Sequence, residues 1–166
     1  TEADVAQYRD EVVAKVVPLA QKIIARKAQK LNLDQVCFWD ESVFDLQGNP
    51  QPQGDHDWML HQAQKMFDAM HPELGSFFKM MVAGNLLDLK TRAGKAGGGF
   101  CTSFPTAGVP YIFANFNNTK SDVEVFTHEM GHAFQAWQSR NLPLIDYLWP
   151  TLESCEIHSM SLEFLT

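Results

Sequence analysis

The chain carries the pattern His-Glu-x-x-His at residues 128–132, which brings its two histidines together only on a helix. Residues four positions apart lie on one helical face, with Cβ atoms roughly 5–6 Å apart. At that separation, His128 and His132 can each bind one zinc ion at roughly 2.0–2.1 Å. Glu129 is then placed to act as general base on a water molecule bound to the metal. The alternative is a chance pair of histidines with no metal.

The surrounding sequence favours a helix for this pattern. Residues Ser121–Glu124 have the form of a capping box, which predicts a helix start just upstream of His128. No proline interrupts the chain from there to Ser139, and Asn141 and Pro143 are typical of a helix end.

A stripe of apolar residues indicates which face of this helix is buried. On a helical wheel the stripe lies opposite both histidines, so we expect the histidines to face a cleft. Its members are Phe126, Met130, Ala133, Phe134 and Trp137. Gly131 flanks the histidine face and costs a helix interior roughly 1 kcal/mol relative to Ala. Close approach of another segment is one explanation for this glycine, and simple tolerance is the other.

A catalytic zinc site needs a third protein ligand and an open position. The extended pattern HExxHxxGxxH is absent, because glutamines occupy positions 135 and 138. Residues 150–164 predict a second helix that begins near Pro150 or Thr151. Glu153, Glu156 and Glu163 form an acidic stripe on this largely apolar helix. Buried carboxylates are costly unless they are paired or bind a metal, so the stripe indicates either metal ligands or a solvated face.

His158 is a further candidate ligand on the same helix. It projects roughly 200° around the helix from Glu156, so the two side chains cannot easily share one metal. The acidic stripe favours a glutamate as the third ligand. Helical spacing alone does not separate Glu153 from Glu156.

The segments HEMGHAFQ at 128–135 and ESCEIHSMSLEF at 153–164 resemble the oligoendopeptidase F branch of the thimet-oligopeptidase-like metallopeptidases. Residues 88–100 and 109–117 resemble the hairpin that precedes the zinc helix in that family. The resemblance implies a zinc-dependent endopeptidase that hydrolyses short peptides. It also implies that Glu156 is the third ligand beside His128 and His132, and that Glu163 occupies a second acidic position of the family.

The fold expected from these patterns is mainly α-helical, with a small antiparallel β hairpin before the HExxH helix. Residues 1–84 are predicted to form a helical region, and residues 85–166 the hairpin and the zinc-binding helices; together they make a partial catalytic domain. Pro18 should interrupt the first helix. Further helices are expected from about Asp55 and from Pro72 to Val82.

Three shorter segments are predicted to form strands or turns. The apolar run Val36–Trp39 predicts a short strand or a buried turn. The strands of the hairpin are predicted at Phe100–Phe104 and Tyr111–Phe116, with a turn between them. The edge of the Tyr111–Phe116 strand is expected to align a peptide substrate by strand addition.

Two polar segments are given structural rather than functional interpretations. The glycine-rich residues 94–99 lack the spacing of a phosphate-binding loop and are predicted to form a flexible start to the hairpin. The acidic residues around His56 are predicted to begin a helix rather than to bind a second metal.

The family places a His and Tyr cluster, used for substrate and oxyanion, on a segment well beyond the third ligand. No residue here matches that segment. The chain is therefore expected to be a piece of a longer enzyme, with the remainder of that enzyme as its partner. On this interpretation the isolated chain binds one zinc ion but is a poor peptidase.

Bulk composition limits the remaining function classes. A formal net charge of −7 argues against nucleic acid or an anionic membrane as a partner. Three cysteines without a pattern predict no disulfide framework, and no apolar run approaches a membrane span. The expected location is the cytoplasm. Two alternatives stay open: another Glu-ligand zinc hydrolase such as an aminopeptidase, or a non-catalytic zinc-binding fragment.

Overall fold

A computed structural model describes all of residues 1–166 and divides them into two compact units, Thr1–Pro50 and Gln51–Thr166. In the first unit, helix α1 (Glu2–Glu11) and helix α2 (Val17–Leu31) are joined by a π-helical segment, Val12–Val16. Pro18 lies in the first turn of α2. The interruption predicted at this proline is confirmed, because proline has no N–H to donate and its ring clashes with the preceding turn.

The strand or buried turn predicted at Val36–Trp39 is wrong. Residues Phe38–Asp40 form a 3₁₀ turn, and both of its aromatic side chains are exposed, Phe38 by 77% and Trp39 by 64%. The Asp40 carboxylate accepts a hydrogen bond from the Cys37 N–H at 2.8 Å. This local hydrogen bond closes the turn, and Asp40 lies outside the apolar run on which the prediction rested.

The second unit begins with two helices, α3 (His56–Met70) and α4 (Pro72–Ala83), as the sequence predicts. The Asp55 carboxylate caps α3 by accepting a hydrogen bond from the Trp58 N–H at 2.9 Å. The interpretation of this acidic segment as a helix start is therefore confirmed. The two helices pack through Phe67 and Phe78, whose ring centroids are 5.1 Å apart.

A three-stranded sheet follows, consisting of β1 (Leu87–Lys90), β2 (Phe100–Phe104) and β3 (Val109–Phe116) in the order β1-β3-β2. Strands β2 and β3 form the predicted antiparallel hairpin. Strand β1 pairs parallel to β3 and was not predicted, because four residues carry too short an alternation to be recognised. The mainly α-helical fold with a small sheet is confirmed, and the sheet is mixed rather than purely antiparallel.

The strand expected to receive a substrate has no free edge. Strand β3 is central and pairs with β1 on one side and with β2 on the other. Strand addition at Tyr111–Phe116 is therefore excluded. Within this sheet, an added strand has to pair with an outer edge, either that of β1 or that of β2.

The glycine-rich segment leads into β2, and its Lys95 side chain holds it against strand β1. This side chain is 1% exposed and its Nζ donates to Asp88 Oδ1 at 3.1 Å and to the Lys90 carbonyl at 3.0 Å. The Arg92 guanidinium also binds Asp88, and it is the main reason that the pKa of this carboxyl is lowered to about 2. The segment is thus the start of the hairpin and not a phosphate-binding loop.

Helix α5 (Lys120–Ser139) contains the HExxH pattern, and helix α6 (Leu152–Leu165) follows after a 3₁₀ turn, Ile145–Tyr147. The capping box predicted at Ser121–Glu124 is wrong by two residues. Thr119 is the N-cap, and the Asp122 carboxylate accepts a hydrogen bond from its N–H at 2.9 Å. The predicted start of α6 is confirmed, with Thr151 as its N-cap.

One apolar core joins α3, α4, the inner face of the sheet and the apolar stripe of α5. Its largest fully buried apolar side chains are Phe67, Phe78, Met81, Leu89, Ile112 and Met130. The core holds α5 by its apolar stripe and so determines which face of this helix is left for the histidines. None of the helices combines the length and the apolar character needed to cross a membrane.

Candidate metal centre

Helix α5 separates an apolar face from a face that carries the histidines. Phe126, Met130 and Ala133 are buried in the core, as the apolar stripe predicts. His128 and His132 lie on the other side, with side chains 27% and 14% exposed. Their ring centroids are 4.9 Å apart, so one turn of the helix brings both imidazoles to the same place.

Gly131 lies where α6 crosses α5. A Cβ atom added at this residue would be 2.6 Å from the Ser159 Cα and 2.7 Å from the His158 carbonyl oxygen. Both neighbours are backbone atoms, which cannot turn aside as a flexible side chain can. The glycine at position 131 is therefore explained by the close approach of another segment, α6, and not by simple tolerance.

The crossing places Glu156 beside both histidines. Its Oε2 atom is 3.2 Å from His128 Nε2 and 3.7 Å from His132 Nε2. One potential ligand atom from each of the three residues lies within 4.8 Å of the others, and Glu153 is not in this group. Of the two glutamates that helical spacing left open, Glu156 is therefore the one that the fold brings to the histidines.

The donor set of this cluster fits a zinc ion. Two imidazole nitrogens and one carboxylate oxygen match a three-ligand catalytic site, in which a fourth position stays open. The Glu156 side chain is 52% exposed, so the cluster opens towards solvent. A closed structural zinc site would instead take four protein ligands.

Glu163 supports the cluster from two turns further along α6. Its Oε2 atom is 3.2 Å from His128 Nδ1. When Nδ1–H donates to this carboxylate, the lone pair of His128 Nε2 is left on the side of Glu156. A carboxylate in this position orients the ring and makes it a stronger ligand.

Burial keeps His132 in the form that binds metal ions. The pKa of its imidazole is lowered, mainly because burial disfavours the charged form, with a smaller contribution from the nearby His128. The Glu156 carboxylate opposes this shift. A neutral imidazole has a free lone pair at neutral pH, as metal binding requires.

Glu129 lies between the histidines and the sheet. Its side chain is buried, and burial is the main reason that the pKa of its carboxyl is raised. The nearby His128 and, to a smaller extent, the backbone N–H of Cys101 partly offset this shift. Sequence reasoning missed Cys101, because a backbone donor from a distant strand leaves no trace in residue type. The Cys101 thiol is itself buried, which raises its pKa to about 12.

Three polar residues near the two helices do not join the cluster: His158, Gln135 and Gln138. His158 is exposed and lines a cavity of about 570 Å³ between α5 and α6, which His128, His132 and Glu156 do not line. Gln135 and Gln138 line the same cavity, and Gln138 donates a hydrogen bond to Glu73 at 2.6 Å. The positions that the extended HExxHxxGxxH pattern would use therefore point away from the cluster.

Known proteins resemble this chain in both sequence and structure. The sequence model of peptidase family M3 matches residues 1–166. A crystal structure described as an oligoendopeptidase F from Bacillus anthracis is 42% identical and superposes with a TM-score of 0.93 over 96% of this chain. A PZ peptidase A, solved with an inhibitor, is 43% identical with a TM-score of 0.93 over 96% of the chain.

A further structure described as an oligoendopeptidase F is 46% identical, with a TM-score of 0.94 over 97% of the chain. This chain spans only 28–29% of the length of these three proteins. A search of curated proteins gave no match.

Proposed function

This chain belongs to peptidase family M3, and from that premise we propose that it forms the metal-binding part of a zinc-dependent endopeptidase that hydrolyses short peptides. The observation that carries the proposal is the group formed by His128, His132 and Glu156, with ligand atoms within 4.8 Å of one another and Glu129 alongside. Short peptides are its proposed partners, together with further segments of a longer enzyme.

In this proposal His128, His132 and Glu156 hold one zinc ion, and Glu163 orients His128. When bound, zinc polarises the scissile carbonyl and lowers the pKa of water. The Glu129 carboxylate accepts the proton of the attacking water and then delivers it to the leaving amine. Its burial favours this role, because a carboxyl with a raised pKa is a stronger base than an exposed one.

The open edge of β2 is proposed to align the peptide. Pro110 has no N–H, and the Ile112 N–H donates to the Leu86 carbonyl at 2.9 Å, so these β3 residues do not bond to β2. They pair with Ser103 and Cys101, which must therefore turn their N–H and C=O groups towards the open edge. An extended peptide can bond to these groups by strand addition.

Glu129 fixes where the reaction occurs along this edge. Burial is the main cause of the raised pKa of the Cys101 thiol, and the nearby Glu129 charge adds to it, so the base lies at the level of Cys101. A peptide bound along β2 then passes the base with residues on both sides of it. This arrangement favours cleavage within a peptide over removal of a terminal residue.

The test is hydrolysis of an internally quenched peptide by the zinc-loaded protein. We expect activity to disappear on chelation and to return with zinc, and Glu129→Gln to lower kcat by about 10²–10⁴-fold while metal content stays the same. Near-normal turnover of this variant would exclude Glu129 as the base.

Two further measurements separate the alternatives. Cleavage of N-acetylated peptides supports an endopeptidase, because an aminopeptidase needs the free amine. The isolated chain is expected to bind one zinc ion but to hydrolyse peptides poorly, because it spans only 28–29% of the length of the solved peptidases that it matches. Zinc binding with no hydrolysis, even by a longer form, would favour a non-catalytic metal-binding role.

A further inference from the structure

Two half-exposed aromatic rings lie on the outer face of β2, beside its open edge. Phe100 and Phe104 are each 50% exposed. Phe100 stacks on Phe113 of β3 at a centroid distance of 5.0 Å and an angle of 14°. Phe104 meets Tyr111 edge to face at 6.0 Å. These contacts hold each ring against the sheet and leave its other side free.

Strand geometry relates these rings to the candidate centre. Alternate residues of a strand share a face, so Phe100, Thr102 and Phe104 lie on the outer face. Cys101 and Ser103 alternate with them, and the side chain of Cys101 packs against the core on the inner face. Because Glu129 lies beside Cys101, Phe100 lies on one side of the level of the base and Phe104 on the other.

A peptide that extends the sheet must place alternate side chains beside these rings. Residues on one face of paired strands have Cβ atoms about 4.5–5.5 Å apart, within reach of an aromatic ring. The peptide residue beside Thr102 meets only a small polar side chain. The residues on either side of it on this face meet Phe100 and Phe104.

We propose that Phe100 and Phe104 select apolar side chains at two positions of the bound peptide, one on each side of the cleaved bond. The preferred substrate is thus an extended peptide with apolar residues at outer-face positions and little selection at the position between them. This inference rests on the proposed function. A cross-strand aromatic pair of this kind corresponds to about two- to fivefold selectivity at each position.

The experiment is competition among peptides that differ at a single position, with products identified by mass spectrometry. The variants are Phe100→Ser, Phe104→Ser, Phe100→Leu and the control Leu142→Ser, which removes an apolar side chain that is 47% exposed outside the sheet. Thermal unfolding establishes that each variant is folded, as expected for half-exposed positions.

We expect each serine variant to lose the apolar preference, by about two- to fivefold, at one position only, and the two positions to lie on opposite sides of the cleaved bond. Phe100→Leu should keep the preference, because it keeps an apolar surface, and Leu142→Ser should change nothing. Unchanged preferences in both serine variants, or changes on the same side of the bond, would overturn the inference and leave the peptidase proposal intact.

A binding arm separates the two proposals when hydrolysis is slow. The Glu129→Gln variant is titrated with the same peptides by fluorescence anisotropy, alone and combined with each serine substitution. Tighter binding of peptides with apolar residues, lost in Phe100→Ser or Phe104→Ser, supports the inference without any turnover. If the Glu129→Gln protein binds none of the peptides and the wild-type protein cleaves none, both the proposed function and this inference are wrong.

Discussion

The two helices that form the candidate centre differ in how firmly the fold holds them. Helix α5 has eight buried residues and lies against the sheet and the core. Helix α6 has only three, and several of its apolar side chains are largely exposed, among them Leu152 by 83% and Phe164 by 81%. The two histidines therefore belong to a helix that the sheet and the core hold firmly in place. The carboxylate that completes the group is held mainly by the crossing at Gly131.

This difference indicates where the metal site is sensitive to change. The histidine pair depends on the local geometry of one helix, whereas the third candidate ligand depends on the distance between two helices. Substitutions on α6 or at the crossing should therefore lower metal affinity without unfolding the core.

Replacement of Glu156 by alanine should have the largest effect. Glu156→Ala removes one of three ligand atoms, and we expect zinc affinity to fall by more than about 100-fold, beyond the range for residues that only orient a ligand. Glu153→Ala is the matched control on the same helix and should leave affinity unchanged. Zinc affinity is measured by competition with a chromophoric chelator. The opposite order of the two variants would move the third ligand to Glu153.

Glu163→Gln should have an intermediate effect. The substitution keeps the size of the side chain but removes the charge that accepts the His128 Nδ1–H bond. We expect zinc affinity to fall by about 10–100-fold, the usual range for a residue that orients a ligand. Glu153→Gln serves as the charge-matched control. Equal affinities for the two variants would show that the His128–Glu163 contact does not support metal binding.

Gly131→Ala tests the crossing itself. The new methyl group would meet the α6 backbone at 2.6 Å, so the helices must separate. We expect a loss of about 1–3 kcal/mol in the free energy of unfolding, together with weaker zinc binding. Gly97→Ala is the control, because a Cβ added there meets nothing within 4 Å. A more stable Gly131→Ala protein would mean that helix propensity outweighs the close approach.

Asp88→Asn should have the smallest effect and should spare the metal site. The pKa of Asp88 is lowered from 3.8 to about 2, chiefly by Arg92, so its stabilising contribution is present above pH 3.8 and is lost as the pH falls towards 2. We expect a loss of about 1–2 kcal/mol at pH 7 that disappears near pH 2, measured by urea unfolding. Arg92→Gln should reproduce much of this loss. A loss that persists at low pH would point to a cause other than charge.

Features that depend on neighbours in sequence could be predicted from the sequence alone. Helical periodicity placed His128 and His132 on one face and the apolar stripe on the other, because both follow from the 3.6-residue repeat. Proline, glycine and the caps located most helix ends, and alternation identified the hairpin. The specific residues at 128–135 and 153–164 carried the resemblance to the family, which the match to peptidase family M3 confirms.

Only the tertiary structure decided the features that depend on distant neighbours. The helical repeat does not separate Glu156 from Glu153; the family resemblance implied Glu156, and the crossing at Gly131 is what brings its side chain to the histidines. The pairing of β1 with β3 covers the second edge of β3, so that β2 and not β3 offers an open edge, and it is Cys101 of β2 that lies beside Glu129. Val36–Trp39 failed as a strand for the same reason, since a strand forms only where another strand lies beside it to bond with.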